Sequence, residues 1–270
     1  MKIWRNGCVI DAVGAIDAMD RGVLLGDGVF ETIAFVDRAP LRFDKHIERL
    51  KRGAAVLGIP VTVNHADILE AISLVARGED IAEGSVRLTL LRGNGPRGVL
   101  PPEKPVPTLI VSVLPGTVGI HEPVKAITAT VTCRNEQSPL SSIKSTNYLD
   151  AILARREAAQ AGADDAILLN TKGYVSEASA ANVFCRFGDE LVTPPLDDGA
   201  LPGVMRQCVL DREPCVERSL WASELLKADE IFLTSSLSIR AVIQLDGAII
   251  GPGVPGPLAT RLAEYPRCAH

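Results

Sequence analysis

The 270-residue chain lacks an excess of positive charge: 28 Lys and Arg stand against 33 Asp and Glu, a net charge of −5. No basic face therefore invites nucleic acid. Long apolar runs are missing too. None approaches the roughly 18 residues that a membrane helix needs, and the opening "MKIWRNGCVIDA" has no long apolar core of the kind a signal peptide carries. The expectation is a cytoplasmic protein with no membrane partner. C-x-x-C is absent. The six cysteines (Cys8, Cys133, Cys185, Cys208, Cys215 and Cys268) are scattered, as buried or idle thiols in a reducing compartment are. H-x-x-x-H and H-E-x-x-H are absent as well. The four histidines (His46, His65, His121 and His270) lie far apart, so no metal is expected. There is no internal repeat and no low-complexity tract.

What is present is globular. At 47% hydrophobic and 23% charged, the chain can bury one large core or two modest ones. "VFETIAFV" (29–36) is β-branched and aromatic and predicts a strand. In "DKHIERLKRGAAVLGI", Ile47, Leu50, Ala54 and Leu57 share one helical face, with Asp44 as N-cap and Gly58 as the stop. A second helix is expected over 65–78, and strands over 85–93 and 107–115. The Gly- and Pro-containing stretch 116–123 reads as a linker between a domain over 1–115 and a second over 124–270. The second half gives a strand over 124–132, a helix from about Tyr148 to Ala161, strands around "AILLN", "YVSEASAANVFCRF" and "LVTP", a helix after Pro202, and a strand in "DEIFLTSS". The closing "GAIIGPGVPGP" reads as a loosely held tail. The strands are segregated from the helices, which predicts an α+β fold rather than a doubly wound sheet.

Five stretches carry candidate chemistry, and each has an ordinary reading beside it. In "SSIKSTNYLD", Lys144 stands among small polar residues. Taken alone it reads as a solvated lysine, whereas a nucleophilic lysine needs desolvation or a nearby cation. In "GYVSEASAANVF", Glu177 sits among small residues that let a flat ligand come close, yet alone it reads as an exposed carboxylate. In "FDKHIERL", His46 and Arg49 are three apart on one helix face. Arg49 has the planar fork that suits phosphate and also fits an ordinary surface pair. "GALPGVMRQ" opens a helix at Gly203, where free N–H groups bind phosphate; "LTSSL" (233–237) offers hydroxyls and more N–H groups, and a plain turn explains either one. Together they describe a nucleophilic lysine, a carboxylate for a pyridinium nitrogen and an anion cup, the inventory that pyridoxal phosphate requires.

These stretches run in an order that resembles the class IV aminotransferase family, the fold-type IV pyridoxal-phosphate enzymes. "DRGVLLGDGVFET" (20–32), "HIERL" (46–50), "RGNGPRG" (92–98), "IKSTNYLDAILARREA" (143–158), "DDAILLNTKGYVSEASAANVF" (164–184) and "LPGVMR" (201–206) carry the likeness. It implies a small N-terminal α/β domain, a larger C-terminal pseudo-barrel domain carrying the lysine, and a homodimer. It implies that Lys144 is the Schiff-base lysine, that Glu177 partners the pyridine nitrogen, and that Arg49, the N–H groups of Val204 and Met205, and Ser235 and Ser236 hold the phosphate. Tyr148 falls beside the cofactor's 3-hydroxyl, Arg97 where the substrate carboxylate binds, and Phe30 in the substrate site. The substrates implied are an amino acid and a 2-oxo acid. Lys144 would then take the substrate Cα proton as general base.

The family contains branched-chain and D-amino-acid aminotransferases and 4-amino-4-deoxychorismate lyases. Tyr148 and Glu31 look like the aminotransferases, and "RGNGPRG" and Met205 look like the lyase. "SVRLTLLRG" replaces the Tyr-Ile-Arg-Pro run usual in the branched-chain group. Phe30 and Val99 stand where the D-amino-acid group has tyrosine and histidine. Met205 replaces a threonine, and "TSSLSIRAV" is one residue shorter than the usual run. Transamination is the chemistry expected; the lyase reaction is the alternative, and a binding protein that kept the fold without catalysis is a third.

Overall fold

The computed structural model describes residues 1–268 and divides into two compact units. The last two residues of the expected second domain lie outside the described residues. The first unit comprises Met1–Val118 together with Ile143–Asn147. It holds β1 (Lys2–Arg5), β2 (Cys8–Asp11), the short α1 (Arg21–Leu25), β3 (Gly28–Val36), β4 (Ala39–Pro40), α2 (Phe43–Leu57), α3 (His65–Gly78), β5 (Gly84–Leu91) and β6 (Thr108–Pro115). The six strands form one antiparallel sheet in the order β2-β1-β6-β5-β3-β4. α2 and α3 cover it. Ile47, Leu50 and Ala54 of α2 and Ile68, Ile72 and Val75 of α3 close over Ile33, Phe35, Val86 and Leu88 in a single core. Helical spacing puts those apolar residues on one face of each helix.

α2 differs from expectation at its start. Its N-cap is Arg42, in the left-handed region at φ 52°, and Asp44 lies one residue inside the first turn. There the aspartate's charge favours the positive end of the helix without capping it.

The second unit comprises Gly119–Ser142 and Tyr148–Cys268. It holds β7 (Val124–Thr128), α4 (Leu149–Gln160), β8 (Asp165–Leu169), β9 (Val175–Ala178), β10 (Asn182–Phe187), β11 (Glu190–Thr193), α5 (Val204–Leu210), β12 (Val216–Glu217), α6 (Ala222–Leu225), β13 (Glu230–Thr234), β14 (Ile239–Leu245), β15 (Ala248–Ile249) and α7 (Pro257–Leu262). Its sheet runs β12-β11-β10-β13-β14-β7-β8-β9, with β15 on β14. The tight turn at 179–181, closed by the Ala178 N–H to the Ala181 carbonyl, brings β9 back beside β10. The sheet therefore curls toward a barrel, and Val124, Ile167, Val183, Ile231 and Leu245 pack within one core.

Two expectations change here. Lys144 is expected in the second domain, but its segment packs with the first unit. Ile143 joins the first core, and the backbone pairs with β3: Phe30 N–H donates to the Lys144 carbonyl and Thr146 N–H to that of Gly28, each at 2.9 Å. The closing tail is also held. β15 pairs with β14, and the buried Glu230 carboxylate accepts the N–H groups of Leu258 and Ala259 at the start of α7. A long-range carboxylate does the work of an N-cap, and Gly256 leaves room for it, since a Cβ there would lie 2.0 Å from the Glu230 carboxyl carbon. No helix among the described residues is long and apolar enough to cross a membrane.

Candidate active site

In the first unit the Lys144 backbone is fixed before its side chain is considered. Besides the two bonds to β3, the Thr146 hydroxyl donates to the Gly26 carbonyl at 2.6 Å and the Asn147 amide to the same oxygen at 3.1 Å. Gly26 has φ +66°, and a Cβ there would stand 2.8 Å from the Asn147 side-chain oxygen, so this contact requires glycine. The half-buried Lys144 projects its Nζ to 4.5 Å from the centre of the Phe30 ring. The guanidinium of Arg87 lies 3.5 Å from the same centre. Phe30 is 5% exposed, so both cations meet an aromatic face largely removed from water. Sequence reasoning missed Arg87. The signal was the period-2 pattern of β5, which puts Arg87 and Thr89 opposite the buried Val86, Leu88 and Leu90.

Arg49 lies on the buried face of α2, and its partner is another residue not singled out for this role. Its Nε and Nη2 donate to the two carboxylate oxygens of Glu31 at 2.8 and 2.6 Å, and His46 Nδ1 meets the same carboxylate at 2.7 Å. Glu31 is fully buried on β3. Burial alone would raise its carboxyl, but the Arg49 guanidinium and the His46 contact hold it down to about 2. Burial pushes His46 below its ordinary value against the pull of Glu31, and the charges of Arg49 and Lys144 add to that depression. His46 thus feels Arg49 and Lys144 together. Arg97 is exposed, on the loop after β5.

The second unit has its own cluster. Glu177, on β9, pairs with Arg134 Nε at 3.1 Å, and its other oxygen accepts the Leu201 N–H at 2.9 Å. Asn182, at the start of β10, donates to the Leu201 carbonyl at 2.8 Å, and its side-chain oxygen lies only 2.0 Å from where a Cβ on Gly203 would be. Gly203 is the N-cap of α5 and supplies no side-chain cap, so the first N–H groups of α5, at Val204 and Met205, have no partner within the helix. Asn182 also stands opposite Thr234 in the β10–β13 ladder. One string of contacts therefore joins Glu177, the Gly203 turn and the end of β13.

Ser235 is engaged within its own turn: its N–H donates to the Ser238 carbonyl, and its hydroxyl accepts the N–H groups of Leu237 and Ser238. Ser236 is half-buried beside it, and the buried Thr234 hydroxyl has no hydrogen-bond partner among the described residues. Tyr148 is the half-buried N-cap of α4. Asn182 and Arg134 were not singled out from sequence, and Thr234 only as one hydroxyl of "LTSSL", because their importance lies in contacts 40 or more positions apart or in the register of a distant strand.

A carboxylate steadied by a guanidinium, a glycine-only turn with undonated N–H groups, and an orphaned buried hydroxyl together suit a ligand that carries an anionic phosphate and a basic ring nitrogen. The comparisons with known proteins agree with this chemistry. Residues 28–245 match the family described as Amino-transferase class IV. The chain belongs to the class IV aminotransferase family, and its α+β architecture is the fold-type IV one.

It is 30% identical over 267 residues to a D-alanine aminotransferase of Bacillus licheniformis, covering 96% of this chain and 93% of the relative. It is 31% identical over 246 residues to an aminodeoxychorismate lyase of Bacillus subtilis, covering 87% and 83%. A crystallised branched-chain amino acid aminotransferase of T.th., complexed with N-(5'-phosphopyridoxyl)-L-glutamate, superposes with a TM-score of 0.89 at 26% identity, covering 98% of this chain and 92% of that one.

Proposed function

We propose that the chain is a pyridoxal-phosphate-dependent aminotransferase that moves an amino group between an amino acid and a 2-oxo acid. The observation that carries this reading is Lys144: its backbone is locked to Gly26–Phe30 while its half-buried amine stands over the Phe30 ring. When bound, pyridoxal phosphate supplies a ring that disperses the charge left when the substrate Cα loses its proton. Lys144 Nζ is the base that would take that proton and hold it for return in transamination. Glu177, steadied by Arg134 and the Leu201 N–H, would hold the proton on the ring nitrogen. Arg49 and the N–H groups of Val204 and Met205 are the groups that would hold the phosphate. Ser236 and the orphaned Thr234 hydroxyl join them in preference to Ser235, whose polar groups close a turn. Phe30 walls the lysine, Tyr148 would serve the cofactor's 3-hydroxyl, and Arg97 would receive the substrate carboxylate. The reading extends to a cytoplasmic homodimer, for which the mass in solution is the check.

Purified protein is expected to show a band near the visible edge that borohydride bleaches, with the reduced label on the peptide carrying Lys144. A label elsewhere, or an unchanged reducible band in Lys144→Ala, would reject the lysine assignment; no band at all would favour a binding protein. Met205, 2% exposed where many members of the family have threonine, favours a second reading as an aminodeoxychorismate lyase. Mixing the protein with single amino donors separates the two. Loss of the band with release of a 2-oxo acid supports the aminotransferase. Pyruvate and 4-aminobenzoate formed from aminodeoxychorismate without an amino acceptor support the lyase.

A further inference from the structure

The loop between β5 and β6 carries Arg97 and has no regular hydrogen-bonded structure of its own over Gly95–Pro107. Its neck is closed by Gly93, at φ +84°, where a Cβ would lie 1.9 Å from the Val106 carbonyl oxygen. Beyond the neck, Arg97, Gly98, Val99 and Leu100 are all exposed. A segment of this kind should sample many positions, yet one buried side chain grips it where Arg97 sits. Arg21, 3% exposed at the first position of α1, donates from Nη1 to the Gly98 carbonyl and from Nη2 to the Val99 carbonyl, both at 2.8 Å. Gly95 packs on the stem of the same side chain; a Cβ there would stand 2.8 Å from Arg21 Cδ.

Arg21 is itself anchored. Its Nε donates to Asp27 at 2.9 Å. Arg92 grips the same carboxylate through Nε at 2.7 Å and Nη2 at 2.9 Å, and also donates to the carbonyls of Leu57 and Gly58 at the end of α2. The burial that would raise the Asp27 carboxyl is outweighed by hydrogen bonds from Arg92 and Arg21, which hold it below the usual range. A continuous polar path thus runs from the core helix α2 through Arg92, Asp27 and Arg21 to the two carbonyls that follow Arg97. The planar guanidinium can serve a carboxylate on one edge and two carbonyls on the other, which an ammonium cannot do in one geometry.

We propose that Arg21 is a positioning residue for substrate binding: clamped by Asp27, it fixes the Gly98 and Val99 carbonyls and so sets where Arg97 meets the carboxylate of an incoming amino acid or 2-oxo acid. This rests on the reading of Arg97 as the carboxylate anchor. The holoenzyme variants Arg21→Lys, Arg97→Gln and the double variant test it. In Arg21→Lys, amide exchange over residues 94–100 is expected to quicken about tenfold. KM for the amino donor should rise about tenfold with kcat within about twofold, and the visible band should stay as in the wild type. In the Arg97→Gln background, Arg21→Lys should add nothing further to KM. Arg21→Gln serves if the lysine variant fails to fold.

Wild-type exchange in a folded Arg21 variant would overturn the clamp, and so would an unchanged KM in Arg21→Lys when Arg97→Gln raises it. An unchanged KM in Arg97→Gln would instead reject the carboxylate reading of Arg97, and with it the substrate half of the proposal, while the exchange measurement still decides the clamp.

Discussion

Arg49 is only 5% exposed, and a guanidinium there is tolerable because Glu31 takes two of its donors. Removing the charge of Glu31 takes the counter-charge from the buried Arg49 guanidinium and leaves one acceptor oxygen where Arg49 and His46 had two. Breaking one side of such a buried pair costs about 3–5 kcal/mol, so Glu31→Gln is expected to lower the urea midpoint at neutral pH by that amount divided by the m-value. Arg134 makes the contrasting case. Its side chain is 22% exposed, pairs with Glu177 at 3.1 Å and donates to the carbonyls of Gly199 and Ser141, so Arg134→Leu should cost a moderate amount of stability, about 1–3 kcal/mol. Under the aminotransferase reading it should lower kcat about tenfold or more, by loosening the carboxylate that holds the ring proton. Stopped-flow measurement of one half-reaction, set beside thermal melting, separates the two effects; equal losses in both would make Arg134 a structural residue only.

At the scale of elements, the start of α5 and the end of β13 meet through Asn182. A methyl at position 203 cannot fit against the Asn182 side chain without moving it, and that amide also holds Leu201, whose N–H holds Glu177. Gly203→Ala should therefore weaken cofactor affinity about tenfold or more, read from the visible band during titration with pyridoxal phosphate. Asn182→Ala in the same chain relieves the clash and should recover part of the loss; no recovery would locate the effect elsewhere.

Much of this framework was legible in sequence because it is local. β3, α2, α3, β5 and β6 follow from β-branched runs and helical spacing, and the likeness in ordered motifs pointed to the fold. What was not legible depends on distant partners. The Lys144 segment belongs with the first unit because its backbone pairs with Gly28–Phe30 more than a hundred positions away. Glu31 reads as one buried strand residue until Arg49 and His46 are set above it. The tail reads as loose because the carboxylate that caps α7 comes from β13.

For the whole molecule these buried charges set the acid limit. Glu31 ordinarily titrates near 4.5 and in the fold near 2. A carboxyl lowered on folding contributes stability that is complete above its unfolded value and is lost as pH falls through the folded one. Between about 4.5 and 2 this amounts to about 3 kcal/mol, at ~1.4 kcal/mol for each pH unit separating the two values. His46 acts in the same direction at higher pH. Its ordinary value is 6.5, and the fold lowers it. The unfolded chain therefore binds a proton first, and stability begins to fall as pH drops below about 6.5. The net charge vanishes near pH 5.5, inside this declining range, so maximal stability should lie above the isoelectric point rather than at it. Urea midpoints taken from pH 8 to pH 3 should stay level down to about 6.5, decline gently, then steepen below about 4.5. Glu31→Gln, less stable at neutral pH, should have a shallower lower limb, the remainder coming from carboxyls such as Asp27 and Glu213 that the fold also lowers, so the two curves draw together in acid. Parallel curves over that lower range would mean that Glu31 titrates alike in the folded and unfolded chains, and the buried cluster would not be the source of the acid limit.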